Sequence, residues 1–181
     1  MASVSETETH RQSGESVLSD AARAKIQELI GRFPQKRSAL LPSLWVVQDE
    51  NGWLSPEAME EVADLLDLEP VQVEETASFY TMYFRQPVGK YVVDICTNIA
   101  CMLNGGYELS RAVQAKLGIK PHETTGDGLF TLREVECIAA CDKAPCAQIN
   151  YEYYENLTPE SLLRTLDSLA AEAAGQRKAG T

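Results

Sequence analysis

Four of the five cysteines in the 181-residue sequence fall into two close pairs. Cys96 and Cys101 bound the C-x4-C of DICTNIAC, and after 35 intervening residues Cys137 and Cys141 bound the C-x3-C of CIAAC. Three chemistries compete for such thiols. Structural zinc accepts four thiolates, but its commonest knuckles are C-x2-C and both spacings here are wider. A thiol–disulfide enzyme calls for C-x-x-C at a helix N-terminus, where the attacking thiol's pKa is lowered, and neither pair has that spacing. A 2Fe-2S cluster takes two thiolates on each of two irons, so two separate two-cysteine loops suit it.

The four-residue gap also occurs in plant-type ferredoxins, where a third cysteine follows after two more residues. Asn104 occupies that position here, so the frame is a different one. Between the thiols stand Thr97, Asn98, Ile99 and Ala100 in one loop and Ile138, Ala139 and Ala140 in the other. These small or uncharged residues leave backbone N–H groups free to point at sulfur. Buried core cysteines are common, but two close pairs at strand ends make chance clustering the weaker account. Cys146, alone beside Pro145, reads as a buried small residue rather than a ligand.

The elements that must position these thiols fall into two parts. From Ser19 to about Phe84 the signals are helical. Ala22, Ile26, Leu29, Ile30 and Phe33 share one helix face behind Ser19 as N-cap. A second helix carries Leu40, Leu41, Leu44 and Trp45, with Pro42 tolerable only in its first turn. Ser55-Pro56 starts a third that buries Met59, Val62, Leu65 and Leu66, and Glu69-Pro70 starts a shorter fourth.

After Gln86-Pro87-Val88-Gly89 the pattern changes. YVVDIC is a strand ending at the first cysteine, and GLFTLREVEC is a second strand candidate delivering Cys137 at its end. Between them Gly105-Gly106 leads into a helix bearing Leu109, Ala112, Val113 and Leu117, closed by Gly118. AQINY and EYYE suit a hairpin, and Thr158-Pro159 opens a last helix with Leu162, Leu163, Leu166 and Leu169. The expected fold class is α+β, an N-terminal helical bundle followed by a thioredoxin-like α/β domain. The expected divisions are a disordered tail over 1–18, the bundle over 19–86, the thioredoxin-like domain over 87–172 and a flexible tail over 173–181.

Sixteen Lys and Arg against 27 Asp and Glu give a formal charge of −11, which disfavours nucleic acid or anionic lipid as a partner and points to proteins. The opening residues carry no secretory apolar region, so a reducing compartment is expected, where grouped cysteines hold metal more often than disulfides. The apolar stretch LLPSLWVV is far short of the roughly 20 residues that span a bilayer. Gly105-Gly106 and Gly126-Asp127-Gly128 lack the G-x-G-x-x-G context of a dinucleotide site and read as turns. His10 and His122 read as solvated, and Glu134, Glu136 and Asp142 as an exposed acidic face beside the second pair.

Over about Ala21 to Leu169 the sequence resembles the small 2Fe-2S component of respiratory NADH:quinone oxidoreductase, complex I, known as the 24-kDa type in mitochondria and the E type in bacteria. CTNIAC and CIAACDKAP carry the resemblance, with FYTMYF as weaker support. It implies one 2Fe-2S cluster on Cys96, Cys101, Cys137 and Cys141 and no catalytic acid or base. It also implies a partner flavoprotein holding FMN and NADH, further iron–sulfur subunits, and a place on the cytoplasmic peripheral arm of a bacterial membrane-bound complex without membrane insertion. The corresponding subunits of NAD-reducing hydrogenases and NAD-dependent formate dehydrogenases fit the same signature. From another class, a zinc-stapled interaction module without redox activity is the rival reading.

Overall fold

The computed structural model describes residues 16–179, and the chain divides into two compact units, Met1–Gln86 and Pro87–Thr181.

The first unit is helical. α1 (Asp20–Ile30) starts where the Ser19 hydroxyl accepts a hydrogen bond from the Ala22 N–H at 3.1 Å. A 3-10 turn (Lys36–Ala39) leads into α2 (Leu40–Asn51), which places Pro42 in the first turn, where its missing N–H costs nothing. α3 (Pro56–Leu66) is capped by Ser55, whose hydroxyl accepts from the Ala58 N–H at 3.1 Å. α4 (Pro70–Phe79) opens on a capping box between Glu69 and Gln72. Each cap contributes about 1 kcal/mol.

Ile26, Leu44, Val47, Leu54, Val62, Leu66 and Val73 fill the core of this unit. The segment after α4 is pinned by a buried glutamine: Gln48 Nε2 donates to the Met82 carbonyl at 2.9 Å, and its Oε1 accepts from the Phe84 N–H at 2.7 Å. Two residues expected on buried faces are exposed. Phe33 is 38% exposed because α1 ends three residues earlier, and Leu41 is 37% exposed because it lies on the outer side of α2.

The tail boundary also moves. Leu18 is buried in the helical core, and the Val17 N–H donates to Glu61, so ordered chain begins before residue 19; residues 1–15, including His10, lie outside the described residues.

The second unit is a four-stranded sheet of order β2-β1-β3-β4 with helices packed on it. Its elements are β1 (Tyr91–Cys96), α5 (Ile99–Leu103), α6 (Gly106–Leu117), β2 (Phe130–Val135), a 3-10 turn (Cys141–Lys143), β3 (Ala147–Ile149), β4 (Glu152–Tyr154) and α7 (Pro159–Ala179). β1 pairs with β2 in parallel and with β3 antiparallel, and β3 and β4 form the hairpin. This is the β-α-β then β-β-α order expected of a thioredoxin-like layer, with α5 added inside the first cysteine loop.

Alternation along β1 sends Tyr91, Val93 and Ile95 into a core with Leu109 and Val113 of α6 and Leu162 and Leu166 of α7. Two boundaries differ from expectation. β2 ends at Val135, two residues before Cys137, because the chain there leaves the β1 ladder to form the second cysteine loop. α7 runs through the supposed flexible tail to Ala179: Ala173 is buried in the core, and Gln176 accepts from Lys90 Nζ at 2.6 Å. Gly180 and Thr181 lie outside the described residues.

On the opposite face of β1, Asp94 sits in register with Arg133 of β2. Arg133 Nε lies 2.8 Å from Asp94 Oδ1, and Nη2 donates to Oδ2 at 3.3 Å, with both side chains under one-fifth exposed. Burial pushes the Asp94 carboxyl above its ordinary range, and the Arg133 guanidinium opposes that rise. Such a carboxyl favours the fold below its unfolded-state pKa and loses that contribution as pH rises through the folded value. Arg133→Met is therefore expected to destabilise the protein by about 3 kcal/mol at neutral pH, through an uncompensated buried charge. The deficit should shrink as Asp94 becomes protonated in acid. Denaturant midpoints across a pH series check this, and a pH-independent difference would refute it.

Candidate metal centre

The first cysteine loop grows from the end of β1. Cys96 closes the strand, and its N–H donates to the Cys146 carbonyl at 3.2 Å while the Thr97 N–H donates to the Val135 carbonyl at 2.9 Å. The Asn98 side chain then caps α5 by accepting from the Ile99 N–H at 2.6 Å, and the following turn carries Cys101 inward. Both thiols are buried. Gly106, at the start of α6, lies against this loop so closely that a Cβ there would stand 2.7 Å from the Cys96 carbonyl oxygen and 3.0 Å from that of Cys101. Glycine is thus required by a close backbone approach, a role beyond the turn expected of it.

The second loop is wound around its own sulfurs. The Ala139 N–H donates to Cys137 Sγ at 3.3 Å, with Ala139 in the left-handed region at φ 63°. The Tyr153 hydroxyl of β4 donates to the Ile138 carbonyl at 2.8 Å, and the Asn156 N–H to the Lys143 carbonyl at 2.8 Å, so the hairpin holds the loop from outside. Cys137 and Cys141 are exposed. Ala140, in contrast, is buried with Cys96, Cys101 and Cys146 in one cluster, which ties the second loop to the first.

The electrostatics link all four predicted residues. Burial raises the Cys96 thiol above its ordinary range and Cys101 adds to the rise, while the backbone N–H groups of Asn98 and Ile138 oppose it. A hydrogen bond with Cys137 and its charge raise Cys141, with smaller repulsion from Cys101 and Cys96. The Cys96 thiol donates to the Glu136 carbonyl at 3.6 Å and Ala140 packs with Cys96 and Cys101, so the fold brings the loops of Cys96, Cys101, Cys137 and Cys141 to the same end of the sheet.

It also brings Cys146 there. Its Sγ lies 3.4 Å from Cys101 Sγ, and the sulfurs of Cys96, Cys101 and Cys146 all lie within 4.8 Å of one another. Sequence reasoning left this thiol isolated. The available signal was AQI as a strand: once β3 pairs with β1, with Ala147 opposite Ile95, the residue before Ala147 must lie beside Cys96.

The remaining candidates have structural roles, and Glu134, expected on an exposed face, is half-buried opposite Ile95. The backbone N–H of His122 donates to the Leu132 carbonyl at 2.6 Å. Asp127 accepts from the Leu129 N–H at 3.0 Å in a turn over Gly126-Asp127-Gly128, and Glu134 accepts from Ser110 at 2.5 Å.

Four soft sulfur donors from two loops, with small intervening residues and backbone N–H groups directed at sulfur, suit two irons that each take two thiolates. Residues 26–170 match the family described as Thioredoxin-like [2Fe-2S] ferredoxin. The chain belongs to that family.

The ferredoxin is similar to the E subunit of the NADH-quinone oxidoreductase of Mycobacterium tuberculosis (strain ATCC 25618 / H37Rv), with 46% identity over 146 residues, 81% of this chain and 58% of that protein. It is similar also to the E 2 subunit of the NADH-quinone oxidoreductase of Rhizobium meliloti (strain 1021), with 41% identity over 149 residues, 82% of this chain and 89% of that protein. The chain thus spans little more than half the length of its mycobacterial relative. Its fold matches part of a crystal structure of an NAD+-reducing [NiFe]-hydrogenase at a TM-score of 0.66 and 24% identity, over 74% of this chain and 23% of that one. Among the described residues no helix is long and apolar enough to cross a membrane.

Two backbone features of the ferredoxin site make opposite predictions. Gly106→Ala must displace the carbonyls of both first-loop cysteines, at a cost of about 1–3 kcal/mol. It should lower both the melting temperature and the iron bound per chain, and unchanged values would show that the close approach is immaterial. Ala139→Gly removes a left-handed alanine costing about 1 kcal/mol, partly offset by unfolded-state entropy, for a net gain of about 0.5 kcal/mol. Ala139→Val, with a β-branched side chain at the same φ, should instead destabilise. Denaturation of the two variants in parallel checks the order, and equal stabilities would contradict it.

Proposed function

We propose that this ferredoxin is the electron-transfer subunit of an NADH:quinone oxidoreductase, with Cys96, Cys101, Cys137 and Cys141 holding one 2Fe-2S cluster. The convergence of the two cysteine loops at one sheet end, in a member of this family, carries the reading. When bound, the cluster supplies reversible one-electron oxidation and reduction. The chain itself supplies asymmetry around it. Cys96 and Cys101 lie on the buried side, where Ala140 and Ile138 exclude water, and Cys137 and Cys141 lie on the exposed side. The N–H groups of Asn98, Ile138 and Ala139 face sulfur and offset thiolate charge without adding a proton donor.

The proposed partner is a flavoprotein subunit that binds NADH and FMN, alongside further iron–sulfur subunits. The first loop presents Ile99 and Leu103 at 68% and 74% exposure, apolar surface suited to a protein contact beside the ligands. In the helical unit, proposed as residues 19–86, Val71 and Phe79 are 67% and 78% exposed and support a docking role for it as well. The assembly is placed on the cytoplasmic side of a bacterial membrane as part of a peripheral arm. The likeness to NAD+-reducing hydrogenase supports a second reading, the corresponding diaphorase component of a hydrogenase or formate dehydrogenase.

Full-length protein purified without oxygen should contain about two irons and two acid-labile sulfides per chain. Cys96→Ser or Cys137→Ser should abolish or grossly alter the visible spectrum, and NADH should reduce the chain only when the flavoprotein is present. One zinc with no sulfide, in protein that also takes up no iron and sulfide on reconstitution after the zinc is removed, would overturn the proposal in favour of a structural module.

A further inference from the structure

The three sulfurs packed most closely are not three of the four proposed cluster ligands. Cys96, Cys101 and Cys146 are 2%, 1% and 1% exposed, and their sulfurs lie within 4.8 Å of one another. Cys137 and Cys141 are exposed on the other loop. Around a tetrahedral ion with metal–sulfur bonds of about 2.3 Å, neighbouring sulfurs stand about 3.8 Å apart. The buried trio, with its 3.4 Å contact between Cys101 and Cys146, reaches that arrangement by shifts of the order of 1 Å or less.

The backbone that carries its members is also fixed at the sheet end and in α5. Cys96 and Cys146 sit at adjacent strand ends, joined by the hydrogen bond from the Cys96 N–H to the Cys146 carbonyl, and Cys101 is fixed by α5 and its Asn98 cap.

We propose that Cys96, Cys101 and Cys146 form a mononuclear Zn2+ site in the cluster-free chain, distinct from the quartet but sharing two of its sulfurs. The inference rests on the assignment of Cys96 and Cys101 to the cluster. On binding, three S–H bonds break, three Zn–S bonds form, three protons are released and no electron moves. Zn2+ with three thiolates carries a net charge of −1. A monovalent ion on the same sulfurs would leave −2 in a buried place, so the trio favours the dication. Because Cys96 and Cys101 cannot serve both groups, zinc and cluster exclude one another. Cys146 therefore makes cluster assembly on this chain zinc-sensitive.

The test uses full-length cluster-free protein under anaerobic conditions, titrated with Zn2+ against a competing chromophoric chelator. The wild type should bind one Zn2+ per chain. Cys146→Ser should weaken binding by about tenfold or more, whereas Cys137→Ser and Cys141→Ser should change it by less than about threefold. One equivalent of Zn2+ added beforehand should slow cluster reconstitution in the wild type and much less in Cys146→Ser. Cys146→Ala carries the same comparison if the serine variant does not fold, and uptake of two irons and two sulfides shows that either variant is native.

The proposal is overturned if Cys137→Ser or Cys141→Ser weakens zinc binding as much as Cys146→Ser, because zinc then occupies the quartet. It is also overturned if both Cys146 variants bind zinc as the wild type does. Should Cys137→Ser still take up a normal cluster while the zinc results hold, the quartet assignment fails and the trio stands.

Discussion

The metal centre depends on β1 being hydrogen-bonded along both edges. Parallel pairing with β2 sets Cys96 opposite Val135, and antiparallel pairing with β3 sets Ile95 opposite Ala147. One strand end thereby receives three chain segments: its own, the loop leaving β2 and the entry to β3. Every cysteine after residue 90 lies on one of them. A slip of one residue in either pairing would turn Cys96 towards the helices and separate the sulfurs, because side chains alternate with a period of two. Burial of Val93, Ile95, Leu132 and Ile149 against α6 and α7 opposes that slip, at about 2 kcal/mol per fully buried aliphatic side chain.

Gathering five thiols in one place would be unfavourable if all were ionised together. Burial pushes the Cys96 thiol up and the Cys146 thiol further, which favours protonated sulfur in the cluster-free chain. A thiophilic ion or cluster bound there would replace those protons and supply the positive charge that the loops lack. The backbone contributes partial charges instead of side chains, through N–H groups at Asn98, Ile138 and Ala139. Small residues between the cysteines allow that approach, and the left-handed alanine at 139 shows its conformational cost.

The helical unit follows a different logic. Its core closes around Leu44, Val62 and Leu66, and the buried amide of Gln48 meets the backbone at Met82 and Phe84. That amide satisfies polar groups a structureless segment would otherwise leave unpaired, and it allows the chain to leave the bundle through an ordered stretch. Tyr83 adds its hydroxyl to the Leu41 carbonyl at 2.8 Å and buries its ring, while Phe79 stays exposed.

Short-range chemistry was legible from the sequence alone. The caps at Ser19 and Ser55, the tolerated Pro42, the strand ending at Cys96 and the helix closed by Gly118 depend on residues within about one turn of each other, so type and spacing determine them. The two cysteine pairs likewise point to a metal because the thiols within each pair are sequence neighbours. What only the tertiary structure decided involves partners far apart in the chain. The place of Cys146 beside Cys101 follows from the β1–β3 pairing, the need for Gly106 from a helix start pressed against two carbonyls, and the early end of β2 from the second loop leaving the ladder. Leu18 and Ala173 became core, and Phe33 did not, because burial depends on which surface of another element faces a residue. Local pattern specifies an element and its apolar side, but long-range pairing determines which side chains meet.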